Sequence, residues 1–413
     1  MKASDISKMN SRERVRAVLN HQMPDRVPNG LGGCDTAGMH VVAYDNLQKM
    51  LGVEMAPPKL ISSMAIAVFE EPVIRAIDGD IIMLSSTKIC DTQYRGEIAG
   101  KWKNQKLWGR TVAIPSNVTL LENENGSLIW ECPGWDNGYV CPKGAYYFEE
   151  MSGNNDFYKD FEVPDPDDYR PIDFLDEKTL RHLENAAKQL YEETDLSICL
   201  GENILTLQVQ PGGFAGHMIL MLEEPDIMRE ILDKYVEAAL KQIVLLDQAV
   251  GKYVDILSTA HDMGDNRGVT IGPNLWREIY KPAYTKLFQG CHNRTNMKIC
   301  LHSCGSIDTI LGDLIECGTE IINPVQTSAA NMSAVSLKKR FGKDVIFWGG
   351  AYDAQTIRSS ASYDEVYQSV YENTKIFAEG GNYIFSGVHN LPADIPDSHL
   401  KAILDAYRDA RVY

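Results

Sequence analysis

Residues 297–305 read MKICLHSCG, a short apolar run that turns polar at its end. Other strand-like runs of this kind are residues 26–31, 80–84, 197–201, 254–259, 320–324, 345–350 and 382–387. Amphipathic stretches that indicate helices separate the later runs, at residues 226–250, 273–288, 307–317, 333–341, 363–378 and 398–411. Eight strands that alternate with helices predict a (β/α)8 barrel, the TIM barrel fold.

The composition is that of a globular chain. The 413 residues are 44% hydrophobic and 23% charged, and no apolar run approaches the roughly 18 to 20 residues that cross a membrane. Because barrels often run past about 250 residues as one unit, we predict a single domain over residues 1–413. The net charge of −17 disfavours nucleic acid as a partner. Nine cysteines without a short-range paired framework, and a start without an apolar segment, predict a reduced, cytoplasmic protein.

One segment does not follow the alternation of strands and helices. Residues 85–165 are rich in aromatic residues, Gly, Asn and Pro, and stretches such as KWKNQKLWGRTVAI (101–114) alternate polar and apolar residues. This pattern predicts a β-rich insertion between the second and third barrel strands. The insertion either caps one end of the barrel or forms a separate lobe, and we favour the cap.

The polar strand ends are the first place to look for chemistry, because barrel active sites lie at the carboxyl ends of the strands. His302 and Cys304 project to the same face of the fifth strand and can converge on one ion. Imidazole and thiolate bind zinc, and His389 after the eighth strand is the natural third ligand, which leaves one position open. Cys300 lies one repeat deeper and is expected to fill a core layer. The alternative is an ordinary strand-to-helix turn.

Longer motifs occur along the chain. They are NSRERVRAVLNH (10–21), PDRVP (24–28), HSCGSI (302–307), NPVQ (323–326), LK (337–338), FG (341–342), GG (349–350) with Asp353, GGNYIFSGVHN (380–390) and DIP (394–396). Together they resemble the uroporphyrinogen decarboxylase superfamily over nearly the whole chain. The resemblance implies a single (β/α)8 barrel and one of two chemistries.

The first chemistry is decarboxylation of a tetrapyrrole. Uroporphyrinogen decarboxylases carry arginines just after the first strand, where they hold the substrate's carboxylates. Here residues 29–38 read NGLGGCDTAG, and after Arg26 the next arginine is Arg75. A substrate with many carboxylates needs cationic partners, so this activity is disfavoured. Asp35 is either a surviving catalytic acid or a turn residue.

The second chemistry is that of cobalamin-dependent methyltransferases, which hold zinc with a His-x-Cys pair on strand five and a Cys on strand eight. His302 and Cys304 match the pair, and His389 stands where the family has its distant Cys, seven residues before Pro396. Two imidazoles and one thiolate carry one negative charge fewer than the family set, which favours activation of an ether or alcohol oxygen. The resemblance also implies Zn2+, methylcobalamin or another corrinoid carried by a partner protein that docks over the barrel mouth, and a homodimer.

Further polar residues at strand ends are candidate substrate contacts: Glu202, Asp265, Asn266, Gln326 and Tyr352. Structural alternatives stay open, because Gln326 could cap a loop, Glu202 could form a buried ion pair, and Tyr352 with Asp353 could close a turn. His217 and His261 are expected to be structural.

Three functions remain. The leading one is a methyltransferase in which His302, Cys304 and His389 bind zinc and act in catalysis. It would move a methyl group between a small donor (a methoxylated compound, methanol or a methyl thiol) and the cobalt of a corrinoid protein. The second is a decarboxylase resembling uroporphyrinogen decarboxylase, and the third is a non-catalytic tetrapyrrole- or corrinoid-binding protein. Measurement of bound zinc separates the first from the other two.

Overall fold

A computed structural model describes residues 9–53, 56–60, 64–84, 102–116, 118–131, 138–150, 161–168, 175–201 and 205–413. The helices in these residues are α1 (Ser11–Leu19), α2 (Val41–Leu51), α3 (Glu71–Ala76), α4 (Glu177–Glu193), α5 (Gly213–Glu223), α6 (Pro225–Val250), α7 (Pro273–His292), α8 (Asp308–Cys317), α9 (Ala334–Phe341), α10 (Tyr363–Ala378) and α11 (Asp397–Ala410). The strands are β1 (Ile81–Leu84), β2 (Trp102–Leu107), β3 (Arg110–Pro115), β4 (Thr119–Glu122), β5 (Leu128–Glu131), β6 (Tyr139–Cys141), β7 (Glu149–Glu150), β8 (Ser197–Gly201), β9 (Ile256–Ala260), β10 (Lys298–His302), β11 (Ile321–Asn323), β12 (Ile346–Trp348) and β13 (Tyr383–Ile384).

β1 and β8–β13 form one parallel sheet in chain order, and a helix follows each strand from β8 onward. This arrangement confirms the predicted barrel fold. The six predicted helices are all present as α6–α11. α10 has both predicted ends, and a capping box of Ser362 and Glu365 fixes its start. None of the helices in the described residues has the length and hydropathy of a membrane span.

Residues 28–30 close the sheet between its first and last strands. The N–H of Phe385 donates to the carbonyl oxygen of Pro28, and the N–H of Gly30 donates to that of Phe385. On the other side, the N–H of Asp80 donates to the carbonyl oxygen of Asn29. The chain therefore completes the barrel with a very short eighth element.

The strand predicted at residues 26–31 is thereby corrected to a single bridge between Asn29 and Phe385. Pro28 has no N–H to donate to a ladder, which restricts regular pairing. Gly30 lies against Trp348, where a Cβ atom would come within 2.4 Å of the indole nitrogen. Close packing over this short segment thus replaces an extended ladder.

A layer of side chains fills the barrel interior below the strand ends. Each of the seven strands contributes one of them: Ile81, Cys199, Ile256, Cys300, Ile321, Ile346 and Ile384. Cys300 is fully buried, which confirms the prediction that it belongs to the core and not to the mouth. Along each strand of such a barrel, inward-facing side chains alternate with outward-facing ones, and the inward-facing side chains fill the interior.

The strand-rich insertion lies between β1 and β8, as predicted. Its described residues form a hairpin of β2 and β3 and an antiparallel sheet of β4–β7. The Nε2 atom of His40, which precedes α2, lies 2.9 Å from the carbonyl oxygen of Tyr146. The N–H of Ala393 donates to the Tyr147 hydroxyl at 3.4 Å. These contacts join the insertion to the loop after residues 28–30 and to the loop after β13. That the chain is a single domain with a cap remains a prediction.

Candidate metal centre

The carboxyl end of β10 brings two potential metal ligands together. His302 is the last residue of this strand, which is paired on both sides with β9 and β11. Cys304 follows it, and its Sγ atom lies 3.3 Å from Nε2 of His302. Because the ladder fixes the strand, the two side chains converge at the barrel mouth.

His389 reaches the same point from the loop between β13 and α11. Its ring centroid lies 5.3 Å from that of His302. One ligand atom from each of His302, Cys304 and His389 lies within 4.8 Å of the other two, and among the described residues no other His, Cys, Asp and Glu side chains form such a group. Bonds of about 2.0 to 2.3 Å put ligand atoms of tetrahedral zinc about 3.4 Å apart, so small side-chain shifts would suffice. Two imidazoles and a thiolate are ligands that zinc prefers, and the set fits this ion.

Asn323 on β11 sets the tautomer of His302. Its Oδ1 atom lies 2.8 Å from Nδ1 of His302 and also accepts the Thr36 hydroxyl at 2.8 Å, while its Nδ2 donates to the carbonyl oxygen of Trp348. The amide orientation is therefore fixed, and Nδ1 of His302 must carry the proton. Its Nε2 lone pair is left for a metal ion, as is common for zinc-bound histidines.

Asn323→Leu is expected to weaken zinc binding about 10- to 100-fold, because His302 loses the acceptor that fixes its tautomer and ring. Thr36→Val is the matched control, since it removes a hydrogen bond to the same oxygen without touching the histidine. Competition with a chromophoric chelator measures both affinities. Equal losses in the two variants would contradict the assigned role of Asn323.

Burial favours the uncharged forms of two ligands, Cys304 and His389, before a metal binds. Burial, with the nearby charge of Asp262, raises the pKa of the Cys304 thiol to about 12. Burial and the neighbouring His302 lower the pKa of His389 to about 4, against the opposing charges of Asp262 and Asp35. A metal ion would have to displace the thiol proton, so its affinity rises with pH below the thiol pKa.

Asp262 is a site residue that the sequence analysis left out. Its Oδ1 atom accepts the N–H of Cys304 at 2.9 Å and lies 3.7 Å from Nε2 of His302. About half of its side chain is exposed at the mouth. Its position in the sequence indicates a place at the mouth, because it follows β9 by two residues in the polar run HDMGDN, which also contains Asp265 and Asn266.

The side chain of Gln326 forms hydrogen bonds with two other parts of the chain. Its Oε1 accepts the N–H of Gly305 at 2.8 Å, and its Nε2 donates to Oδ1 of Asn266 at 2.6 Å. Asp265 accepts two backbone N–H groups of its own loop. Gln326 therefore ties the turn after Cys304 to the loop after β9, and substrate contact by these residues stays a prediction.

A cavity of about 110 Å³ adjoins the metal ligands. It is lined among others by Cys304, Gln326, Tyr352, Asp353, His389 and Asn390. Its walls thus combine two of the three candidate ligands with two of the predicted substrate contacts. The hydroxyl of Tyr352 lies 3.3 Å from Nδ1 of His399. Glu202, the remaining predicted contact, lies outside the described residues.

His217 and His261 pack among the tyrosines of α7. Nδ1 of His261 lies 2.7 Å from the hydroxyl of Tyr284, and Nε2 of His217 lies 3.0 Å from that of Tyr280. Burial lowers the pKa of His261 to about 3 and that of His217 to about 4. These surroundings fit the structural roles predicted for both. Asp35 lies half-buried in a turn, so both of its alternatives remain.

The fold and these side chains define a (β/α)8-barrel protein with a candidate metal centre at the carboxyl ends of its strands. The sequence profile of the uroporphyrinogen decarboxylase (URO-D) family matches residues 162–410, more than half of the chain. The chain belongs to this family. The profile match begins after the N-terminal motifs at residues 10–28, so the family resemblance noted there rests on the motifs alone.

One solved structure is similar in fold over nearly the whole chain. A methyltransferase from Methanosarcina mazei is 16% identical, with a TM-score of 0.56, over 97% of this chain and 99% of that one. Xylanase B from Clostridium stercorarium F9 is 11% identical, with a TM-score of 0.32, over 54% of this chain and 82% of that one. A D-tagatose 3-epimerase-like protein is 12% identical, with a TM-score of 0.30, over 57% and 84%. No curated protein sequence matches the chain.

Proposed function

We propose that this protein is a zinc-dependent methyltransferase that moves a methyl group between a small donor and the cobalt of a corrinoid protein. The convergence of His302, Cys304 and His389 at the barrel mouth carries the proposal. Family membership and the methyltransferase from Methanosarcina mazei, similar in fold over nearly the whole chain, support it. Zinc held by these residues would supply Lewis acidity toward the heteroatom that carries or receives the methyl group.

The chain's own residues divide the remaining tasks. Asn323 selects the neutral tautomer of His302 that carries its proton on Nδ1 and presents Nε2 to the metal, and the cavity beside Cys304 and His389 takes the small substrate. At about 110 Å³ this cavity is well below the roughly 300 to 1,000 Å³ of pockets for drug-sized molecules, and a corrinoid is larger still. The corrinoid would therefore stay on its partner protein, which docks over the mouth.

The number of thiolates favours an oxygen donor. Two neutral imidazoles and one thiolate leave a divalent ion with one net positive charge, whereas a second thiolate in place of His389 would cancel it. A more positive centre polarises an ether or alcohol oxygen more strongly. We therefore place methoxylated compounds and methanol ahead of methyl thiols as donors.

Tetrapyrrole decarboxylation finds no support at the cavity. None of the described residues that line it is Lys or Arg. Arg26 is the arginine nearest in sequence to the glycine-rich residues 29–38, and it pairs with Asp80 at 2.7 Å and 2.9 Å. The many carboxylates of uroporphyrinogen would therefore lack cationic partners here.

One experiment tests the proposal against both alternatives. Purified protein is assayed for bound zinc, for methylation of a reduced corrinoid by methoxylated donors, and for conversion of uroporphyrinogen to coproporphyrinogen. We expect about one zinc per chain, zinc-dependent methylation and no porphyrinogen turnover. Porphyrinogen turnover would establish the decarboxylase instead, and absence of both zinc and turnover would favour a non-catalytic carrier.

His389→Cys is expected to retain zinc but to lose much of the rate of methyl transfer from an oxygen donor. The added thiolate charge lowers Lewis acidity without removing a ligand. Zinc content and cobalt methylation are measured side by side for this variant and the natural protein. An undiminished rate at normal zinc content would show that His389 does not select the donor.

A further inference from the structure

Two polar atoms of the cavity-lining residues lack hydrogen-bond partners among the residues that the structure describes. They are Oδ2 of Asp353 and Nδ2 of Asn390, and both atoms are buried. The opposite ends of these side chains are engaged, because Oδ1 of Asp353 accepts the N–H of Gln355 and Oδ1 of Asn390 accepts the N–H of Gly38. A backbone N–H only donates, so the second bond fixes the Asn390 amide with its nitrogen as the free end. The two residues in the cavity wall thus hold one unpaired acceptor and one unpaired donor.

Unpaired buried groups of this kind are costly, and a ligand that pairs them binds more tightly. Asp353 is 4% exposed, and the described residues that line the cavity include no Lys or Arg to balance its carboxylate. A positively charged or hydroxyl group of a ligand would supply the missing partner. A second anion there would be repelled by Asp353 in a poorly solvated site.

The size of the cavity limits the ligand further. A cavity of about 150 Å³ accommodates benzene, whereas the one beside Cys304 measures about 110 Å³. An aromatic ring would therefore remain at the mouth. We therefore expect a short aliphatic chain as the ligand, with its reacting end toward Cys304 and His389 and its other end toward Asp353.

We infer that the methyl donor is a small aliphatic molecule whose ammonium or hydroxyl group pairs with Asp353, and that the site rejects anionic donors. The inference rests on the proposed function, because it takes this cavity to be the donor's site. Three probes of nearly equal size separate the charges: 2-methoxyethylamine, 2-methoxyethanol and methoxyacetate. Calorimetry on the zinc-free and the zinc-loaded protein measures binding without relying on turnover.

We expect the amine to bind most tightly and methoxyacetate at least about tenfold more weakly, the range that a charge-assisted hydrogen bond gives. Asp353→Asn should remove the preference for the amine, since it keeps the bond to Gln355 and loses the charge. Asn390→Asp should increase the preference, since it keeps the bond to Gly38 and adds a charge. The two variants are nearly isosteric with the natural residues, and the second keeps the test decisive if the first fails to fold.

The outcomes separate this inference from the proposed function. Equal affinity for the amine and methoxyacetate, or a preference that neither variant changes, would overturn the inference. Methylation of the corrinoid by methoxyacetate at the rate of the amine would overturn it while the methyltransferase stands. The expected binding order without any corrinoid methylation would support the charge preference and contradict the proposed function.

Discussion

Cys304→Ala is expected to lower zinc affinity by about three orders of magnitude while the barrel stays folded. Apparent binding energies of structural zinc sites are about 10 to 16 kcal/mol, so loss of one of a few ligands costs roughly 4 kcal/mol, about 10³-fold. The thiol lies at the mouth, where its contacts are Nε2 of His302 and the neighbouring Asp262. Removal of the sulfur therefore leaves the core intact. Zinc content after dialysis against a weak chelator measures the loss, and circular dichroism checks the fold.

Cys300→Ala is the matched control for this prediction. Cys300 lies four residues before Cys304, within β10, and faces the same side, but it is fully buried in the core below the mouth. We expect this variant to keep zinc and to lose about 1 to 2 kcal/mol of unfolding free energy, as a small cavity in the core does. Zinc retained by Cys304→Ala, or lost by a folded Cys300→Ala, would show that the ligands are misassigned.

The local geometry of a strand made the candidate ligands predictable. Alternation that continues two residues past the end of β10 puts Cys304 on the same face as His302, and parallel strands of a barrel all end at the same mouth. His389 needed a further step, because it follows β13 by several residues and no periodicity governs a loop. The register to Pro396, which does begin α11 as its N-cap, supplied that step.

The residues that contact the candidate metal ligands could not be identified from the sequence. Asn323 was part of a noted motif, but only the pairing of β10 with β11 sets it beside His302. Asp262 comes from the loop after β9 and approaches the site through the turn at Cys304. Such contacts depend on how loops from different strands meet. The position of Asp262 after β9 indicates that it lies near the mouth, but not which residues it contacts. Gln326 is the opposite case: it was predicted to contact substrate, but its side chain forms hydrogen bonds with neighbouring loops.

The fold was predictable where strands and helices repeat and less so where the barrel closes. Apolar runs from residue 197 onward lie in strands because each is buried on both faces between helices and interior. The run at residues 26–31 has similar composition, yet only Asn29 forms a bridge. Side-chain hydrogen bonds add to the few backbone hydrogen bonds and the close packing that close the barrel there. These side-chain hydrogen bonds converge on one acidic residue.

Asp80 holds the closure together from the position just before β1. Its carboxylate accepts the backbone N–H of Asn29 at 2.8 Å. It also pairs with Arg14 at 2.7 Å and with Arg26 at 2.7 Å and 2.9 Å. Asp80 is fully buried, and the Arg14 side chain is almost as inaccessible. The first and second elements of the barrel thus share a buried network of charges.

Asp80→Ala is therefore expected to lower the free energy of unfolding by about 3 to 5 kcal/mol. Arg14 keeps its pair with Asp25, but Arg14, Arg26 and the buried N–H of Asn29 all lose the same acceptor. Asp255→Ala is the matched control. Asp255 also precedes a strand, β9, but its charged partner Arg16 is 43% exposed, so water replaces the ion pair. Asp255 also accepts the hydroxyl of buried Ser197 at 2.8 Å, and we expect a loss of about 1 to 2 kcal/mol in all. Urea unfolding followed by circular dichroism compares the two variants. If both lose the same amount, the buried pairing at Asp80 does not stabilise the closure, and the packing of Gly30 against Trp348 is the stronger contribution.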